Sequence, residues 1–206
     1  MIVASAGTLN IVGNLLIAND VGMTEDVINN GQLTSTTIYM QAGIGSLVNS
    51  GTFTSGGLLL GNTASSTSTV SNTGDMNING WLYLSVVGQD SVFNMNGGNL
   101  DVTGKFEMPN DGVGHLNLHG GVITNAELGL NGNCDYTIEV DNGVMYTAGD
   151  HTNALDWMIS VGLITGEGSK TPYSSYDESY TKLAAISEPA TFGLLAILSL
   201  AFLRKK

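Results

Sequence analysis

A repeat with a period of about 23 residues constrains the fold of this chain more than any other feature of its sequence. Seven glycines, each two positions before an apolar residue, follow one another at nearly even intervals. The glycines are Gly7, Gly31, Gly51, Gly74, Gly98, Gly121 and Gly143, and the apolar residues are Leu9, Leu33, Phe53, Met76, Leu100, Ile123 and Met145. A unit this short cannot bury a core alone, so the repeats are expected to stack on one another.

Each of the first six repeats also carries two further places where apolar residues alternate with other residues. The second pair is Leu15/Ile17, Ile38/Met40, Leu58/Leu60, Leu82/Leu84, Phe106/Met108 and Leu128/Leu130. The third pair is clearest as Phe93/Met95, Leu116/Leu118 and Ile138/Val140, and is reduced to Val27, Leu47 and Val70 in the earlier repeats. Alternation with a period of two predicts strands that bury one face.

Three short strands per repeat predict an all-β fold, a right-handed parallel β-solenoid that occupies residues 1–150. The 28 glycines suit corners that need positive φ. Small outward residues are expected to stack in rows, as at Asn10, Thr34, Thr54, Asn77, Asp101, Thr124 and Tyr146. A β-sandwich with closely spaced short strands is the alternative. We favour the solenoid because a sandwich has no reason to repeat in threes.

Residues 151–186 are expected to close the solenoid and lead away from it. Leu155, Met158 and Ile159 follow helical spacing, with Asn153 as the N-cap, and predict a short capping helix whose Trp157 covers the last coil. The tyrosine-rich residues 167–188 are expected to add a final strand or two and a linker. The N-terminus shows no comparable cap, so we expect further coils upstream.

The charge balance argues against nucleic-acid binding. The chain holds 18 acidic residues and six cations, for a net charge of −12, and three of the cations are the last three residues. Residues 1–203 therefore carry three cations against 18 acidic groups, a net charge of −15. Such a surface repels phosphate backbones.

Two further features bear on the cellular compartment. Cys134 is the only cysteine, so no intramolecular disulfide can form, and we interpret it as an inert small residue rather than a reactive thiol. The start "MIVASAGTLNIVGN" lacks the charged and apolar regions of a signal peptide. Either the true start lies upstream or the chain is not exported.

The C-terminus predicts a membrane-inserted helix. Residues 190–203, "ATFGLLAILSLAFL", form an uninterrupted apolar run. As a helix this run would span about 21 Å, less than the ~30 Å of a hydrocarbon core. The basic residues Arg204, Lys205 and Lys206 follow it and are expected to stay cytoplasmic, with the solenoid outside. A buried or amphipathic helix is the alternative, which the absence of a polar face disfavours.

The order of these segments resembles a known sorting signal. Ser187-Glu188-Pro189-Ala190-Thr191, the apolar run and the basic end resemble the PEP-CTERM signal of Gram-negative bacteria, with Ser187 where that family usually has proline. The preceding "LDWMISVGLITGEG" is similar to the ending of repetitive β proteins that carry this signal. The resemblance implies export, transient membrane insertion and processing by exosortase, a membrane-embedded cysteine protease.

Candidate metal sites are weak. His115 and His119 lie four positions apart on a predicted strand, so both face outward about 13 Å apart, too far to share a metal. Asn131, Asn133 and Asp135 alternate as in a calcium loop but lack its glycine and its closing glutamate. A plain Asn-Gly corner is favoured there, and we expect no cofactor and no metal.

Candidate catalytic residues are equally weak. The carboxylate pairs are Asp101 with Glu107 and Asp135 with Glu139, and nothing singles out either pair as that of a glycosidase. Lys105 is the only Lys or Arg before residue 170, so a lyase of acidic polysaccharides lacks the cations it needs. No Ser/His/Asp order, P-loop or zinc spacing is present. We expect no enzymatic activity.

These features together predict an exported structural or adhesive protein of the cell surface or extracellular matrix. Its partners would be exosortase, the membrane through residues 187–206, and extracellular polysaccharide. The alternative is a carbohydrate-active enzyme or glycan-binding module on the same scaffold.

Overall fold

A computed structural model describes residues 1–87, 90–109, 111–130 and 135–187. Within these residues the chain forms fifteen strands and one helix, and parallel pairing between successive coils builds a β-solenoid of about seven turns. The predicted solenoid is confirmed. The sandwich alternative is excluded because the repeats pair in parallel and in sequence order.

The elements follow the repeat along the chain. The strands of the coils are β1 (Ile2–Val3), β2 (Thr8–Ile17), β3 (Thr24–Asn29), β4 (Gln32–Met40), β5 (Ile44–Asn49), β6 (Thr52–Leu59), β7 (Thr67–Asn72), β8 (Asp75–Tyr83), β9 (Asp90–Glu107), β10 (Val113–Gly129), β11 (Asp135–Val140) and β12 (Val144–Ala148). After them come α1 (Thr152–Ser160), β13 (Ile164–Gly166), β14 (Lys170–Tyr176) and β15 (Tyr180–Ser187).

Residues at equivalent positions of successive repeats pair with one another in neighbouring coils. The apolar residues that follow the repeat glycines pair from Leu9 to Met145, and all are buried except Leu9, which packs partly buried against the core. The outward row from Asn10 to Tyr146 pairs in the same way and is half-buried or exposed. One apolar column therefore runs along the inside and one mostly polar row along the outside.

The three apolar pairs of a repeat do not form three separate strands. In β2, β4, β6 and β8 one strand carries both the apolar residue that follows the repeat glycine and at least the first residue of the second pair. The ladder bends between them at a register shift, for example between Ile11 and Asn14. In β9 and β10 one strand contains the third pair of one repeat and continues as far as the first residue of the next repeat's second pair, so these strands have 18 and 17 residues. A bulge bends a strand without ending its pairing, which is why spacing alone overcounts the strands.

Close packing of the backbone, more than positive φ, explains the repeat glycines. Among the seven, only Gly98 and Gly121 have positive φ, at 66° and 74°. A Cβ added at Gly51 would lie 2.1 Å from the carbonyl oxygen of Gly31, and one at Gly74 would lie 2.2 Å from that of Gly51. The corner therefore stacks so tightly that no side chain fits.

A ladder of buried asparagines fills the interior where the third apolar pair is reduced. Asn29, Asn49 and Asn72 are fully buried, one in each of three successive coils. Asn29 donates to Asn49 Oδ1 and Asn49 donates to Asn72 Oδ1, both at 2.7 Å. The ladder ends where Asn72 pairs with Met95, whose sulfur lies 3.4 Å from the Asn72 amide nitrogen. These asparagines are core residues, although in the sequence they stand where the second apolar residue of the third pair is missing.

The capping helix is confirmed, but its details differ from the prediction. Asn153 lies inside α1, and the carboxylate of Asp150 accepts hydrogen bonds from the Thr152 hydroxyl and backbone N–H at 2.7 and 3.0 Å. These bonds hold the pKa of Asp150 below its ordinary value. Leu155 and Met158 are buried. Trp157 is 55% exposed, so its predicted role as a cover is wrong.

The predicted final strands are confirmed as an antiparallel hairpin. β14 pairs with β15, and β15 pairs antiparallel with β12, whose other edge pairs with β10. Beside it, β13 pairs with β11 and α1 packs on β13 and β14. The C-terminal end of the solenoid is thus covered by strands and a helix of the same chain.

The C-terminal tail falls outside the described residues. Ser187 is the last residue of β15, whereas residues 188–206, with the rest of the sorting motif, the apolar run and the basic end, are not described. Among the residues that are described, no helix has the length and hydropathy needed to cross a membrane.

Candidate functional site

The predicted catalytic carboxylates do not form a working pair. Asp135 and Glu139 lie four positions apart on β11, about 13 Å along a strand, beyond the ~9.5 Å limit for glycosidases. Asp101 is exposed, whereas Glu107 is half-buried in an ion pair with Lys105, with Nζ 2.5 Å from Oε2. The hydrogen bond to Glu107 raises the pKa of Lys105, so this carboxylate serves as a counter-ion.

The two predicted histidines lie on one outward row of β10 and do not approach each other. Each side chain is 35% exposed, so both face outward and are half-buried. His115 Nδ1 lies 2.7 Å from the Thr137 hydroxyl, and its Nε2 lies 3.6 Å from an Asp90 carboxylate oxygen. They share no ligand position, as the strand spacing predicted.

His119 instead joins a corner cluster that sequence analysis missed. Its Nδ1 lies 3.3 Å from Glu167 Oε2, and a carboxylate oxygen of Asp141 completes a group within 4.8 Å. Lys170 ion-pairs with Asp141 and donates to Asn142 Oδ1 at 2.7 Å. A cation of the chain therefore already neutralises Asp141, and the cluster needs no metal ion.

A row of aromatic and aliphatic side chains covers the outward side of the second apolar pair. Leu16, Tyr39, Leu59 and Tyr83 pair in register across β2, β4, β6 and β8. Trp81 stands beside them, two positions before Tyr83 and paired with Gly57. We call this set of five side chains the aromatic face.

The aromatic face is accessible to a ligand. Trp81 is 60% exposed and Leu16 is 43% exposed, while Tyr39, Leu59 and Tyr83 are half-buried. Contiguous exposed apolar patches mark surfaces that meet a partner or a ligand. In this respect the face differs from the row that begins at Asn10, most of whose members are small and polar.

Local sequence explains how the aromatic face is positioned. Within β8, Leu82 faces the core, so its neighbours Trp81 and Tyr83 must point outward. Leu58 and Ile38 fix the outward direction of Leu59 and Tyr39 in the same way. Since adjacent strands lie about 4.8 Å apart, Tyr39 and Tyr83, two coils apart, are separated by about 10 Å.

No charged side chain belongs to the aromatic face. In β2, β4 and β6 its neighbours in the adjacent outward row are Asn14, Thr37 and Gly57. The next position beyond Tyr83 is Glu107, whose cluster with Lys105 and Glu127 ends the face. The arrangement suits contact with a flat, uncharged partner.

The sequence carries a signal for this face. Tyr39 and Tyr83 each lie between the two residues of a second apolar pair, and Trp81 directly precedes one. The outward row predicted from the sequence is a different one, the residues that directly follow Leu9, Leu33 and the other apolar residues after the repeat glycines.

Other predicted candidates lie outside the described residues. Asn131, Asn133 and Cys134 are among them, and Asp135 is the first residue of β11.

Comparison of the chain with protein-family models, with curated proteins and with solved structures gave no match.

Proposed function

We propose that this chain is an exported structural or adhesive protein of a Gram-negative cell surface or extracellular matrix, sorted by exosortase. The observation that carries the proposal is the C-terminal sequence, in which Glu188-Pro189 precedes an apolar run and Arg204-Lys205-Lys206. This tail follows the folded body directly, because β15 ends at Ser187. Processing at the motif would therefore release the solenoid intact.

The finer architecture belongs to the same proposal. We infer a right-handed coil, since connections between parallel strands of one sheet are right-handed in nearly all proteins. Residues 190–203 form a hydrophobic helix during membrane insertion, with the basic residues on the cytoplasmic side. After processing, the protein is located at the surface or outside the cell.

A structural role is supported over catalysis by how the described residues use their polar groups. Lys105 pairs with Glu107, Lys170 pairs with Asp141, and the buried asparagines satisfy one another. The asparagines join successive coils, and Lys105 reaches the next coil through Glu127, 3.8 Å away. The alternative of a glycan-binding module is favoured by one specific observation, the aromatic face.

The sorting proposal is tested in a host that contains exosortase. The full chain, with an added export signal and an N-terminal tag, is expected to appear outside the cell without the matched tail, residues 187–206. In an exosortase-null strain the same chain is expected to stay full length in the membrane fraction. Size and location are read on blots of cells and medium.

Two variants sharpen this test. Pro189→Ala in the motif is expected to retain the full-length species even when exosortase is present, whereas Ser187→Pro, which restores the residue usual in the family, is expected to be processed at least as well. Sorting by exosortase would be refuted if both the parent chain and Ser187→Pro stayed full length in the membranes of both strains.

A further inference from the structure

We propose that the aromatic face binds a neutral, extended β-1,4-linked glycan laid along the solenoid axis. The inference rests on the proposed function, because an exported protein is one that meets extracellular polysaccharide. It goes further by assigning the surface, the residues and the class of ligand.

The spacing of the rings is the first argument. Tyr39 and Tyr83 lie two coils apart in register, with Leu59 between them. Two coil spacings amount to about 10 Å. This is close to the two-sugar repeat of an extended β-1,4-linked glycan, so alternate sugars can rest on successive rings. Trp81 lies beside Tyr83 and widens the platform by about 7 Å.

Charge is the second argument, and it excludes other occupants. The face itself is uncharged in four successive strands, while the chain carries a net charge of −12. A second copy of the chain, an acidic polysaccharide and an anionic membrane surface would all be repelled by that charge. A neutral polymer carries no such charge penalty.

The chemistry of the side chains is the third argument. Ring faces of Trp and Tyr offer large, rigid contact area to the C–H surface of a sugar, with a polar group at the ring edge. Thr37 flanks the aromatic face, and the exposed Asn79 stands two positions before Trp81. Hydroxyl and amide groups beside apolar rings match the alternation of C–H and O–H groups around a pyranose.

The chain offers a direct optical test, because it contains two tryptophans of similar exposure. Trp81 is 60% exposed on the aromatic face, and Trp157 is 55% exposed on α1 at the C-terminal end. In Trp157→Phe, Trp81 is the only tryptophan; in Trp81→Phe, Trp157 is the only one. The full chain is used, in a detergent without sugar headgroups.

The titrant is cellohexaose, with maltohexaose and oligogalacturonate as controls. We expect a saturable change in the emission of Trp81 with cellohexaose and no change in the emission of Trp157. Maltohexaose, which does not extend, and the acidic oligomer are expected to leave both unchanged.

Substitutions locate the site on the face. In calorimetric titrations, which need no tryptophan signal, Trp81→Ala, Tyr39→Ala and Tyr83→Ala are each expected to lower affinity for cellohexaose about fivefold to tenfold, the range for one lost aromatic contact. Tyr176→Ala is the matched control, since Tyr176 is 42% exposed on β14, away from the face. Unchanged unfolding midpoints would show that these three substitutions act on binding alone.

Three results would overturn the inference: no change in Trp81 emission at millimolar cellohexaose, an equal change at Trp157, or preferential binding of the acidic oligomer. The sorting test separates this failure from failure of the proposed function. Trp81→Ala is expected to be processed and exported like the parent chain, whatever its glycan affinity.

Discussion

Replacing Gly74 with alanine is expected to destabilise the solenoid by about 4 kcal/mol or more, the exceptional end of single substitutions. The new Cβ would lie 2.2 Å from the carbonyl oxygen of Gly51 and 2.9 Å from its backbone nitrogen. Both atoms belong to the backbone of the preceding coil, so no side chain can rotate away. Relief requires the coils to separate at this corner, where Asp75 pairs with Thr52.

Urea unfolding followed by circular dichroism measures this effect, and Gly97→Ala is the matched control. Gly97 lies beside a repeat glycine, yet its Cβ would find no atom closer than 3.9 Å. We expect its stability to stay within about 0.5 kcal/mol of the parent, as for unstrained surface changes. If Gly74→Ala and Gly97→Ala unfolded at the same urea concentration, close stacking would not explain the repeat glycines.

Asn49→Ala is expected to cost about 3 to 5 kcal/mol, because three hydrogen bonds and a filled space are lost together. The Asn49 amide accepts from Asn29 and donates to Asn72 Oδ1 and, at 3.2 Å, to the carbonyl oxygen of Asp75. Alanine leaves buried polar groups without the partners they had, at about 1 to 3 kcal/mol each when unsatisfied. The space vacated by the amide adds a cavity cost. Urea unfolding of the variant and the parent chain measures the loss.

Asn94→Ala is the control for the asparagine ladder. Asn94 also takes part in an amide–amide bond, accepting from Asn117 at 2.8 Å, but both side chains point outward and are only half-buried. Water can replace that bond, so we expect a loss of about 1 kcal/mol or less. Equal losses at positions 49 and 94 would contradict an energetic role for the buried ladder.

Asn49→Asp adds a pH dependence with a defined sign. Burial raises the pKa of the new carboxyl above its unfolded value. The neutral acid can still donate to Asn72, whereas the carboxylate cannot. The variant should therefore be least destabilised below about pH 4, the unfolded pKa of aspartate, and lose stability as pH rises through the folded value. Unfolding midpoints at acidic and neutral pH, compared with those of the parent chain, measure this.

Most of the architecture could be predicted because, in a solenoid, the residues that recur at the repeat spacing are the ones that are buried. Leu33, Phe53 and Met76 recur at the repeat and are all buried in register. The number of separate strands could not be predicted, since a bulge at Ile11 and Asn14 turns the corner within β2. Spacing locates inward residues, but it does not say whether pairing continues between them.

The asparagine ladder and the aromatic face escaped prediction for the same physical reason. A buried amide is tolerated only when a partner lies within reach, and here that condition depends on coil register. Asn49 looks polar by itself and becomes a core residue only when Asn29 and Asn72 flank it. Similarly, Tyr39 and Tyr83 lie on one surface, on either side of Leu59, only after the coils are stacked.

Details at the C-terminal end depended on tertiary contacts. Trp157 fits the helical pattern but lies on the exposed side of α1, because Leu155 and Met158 take the buried side. His119 meets Glu167 only because β13 pairs with β11 and brings that corner into the stack. Neither arrangement follows from local spacing.

The antiparallel hairpin blocks the addition of a further parallel coil at the C-terminal end of the solenoid. A parallel coil presents an edge that could template the next coil, including one from another molecule. Here β15 runs against β12, and beyond it β14 carries Pro172, a residue confined to sheet edges because it offers no N–H to a ladder. Copies of the chain would therefore not elongate into fibres from this end.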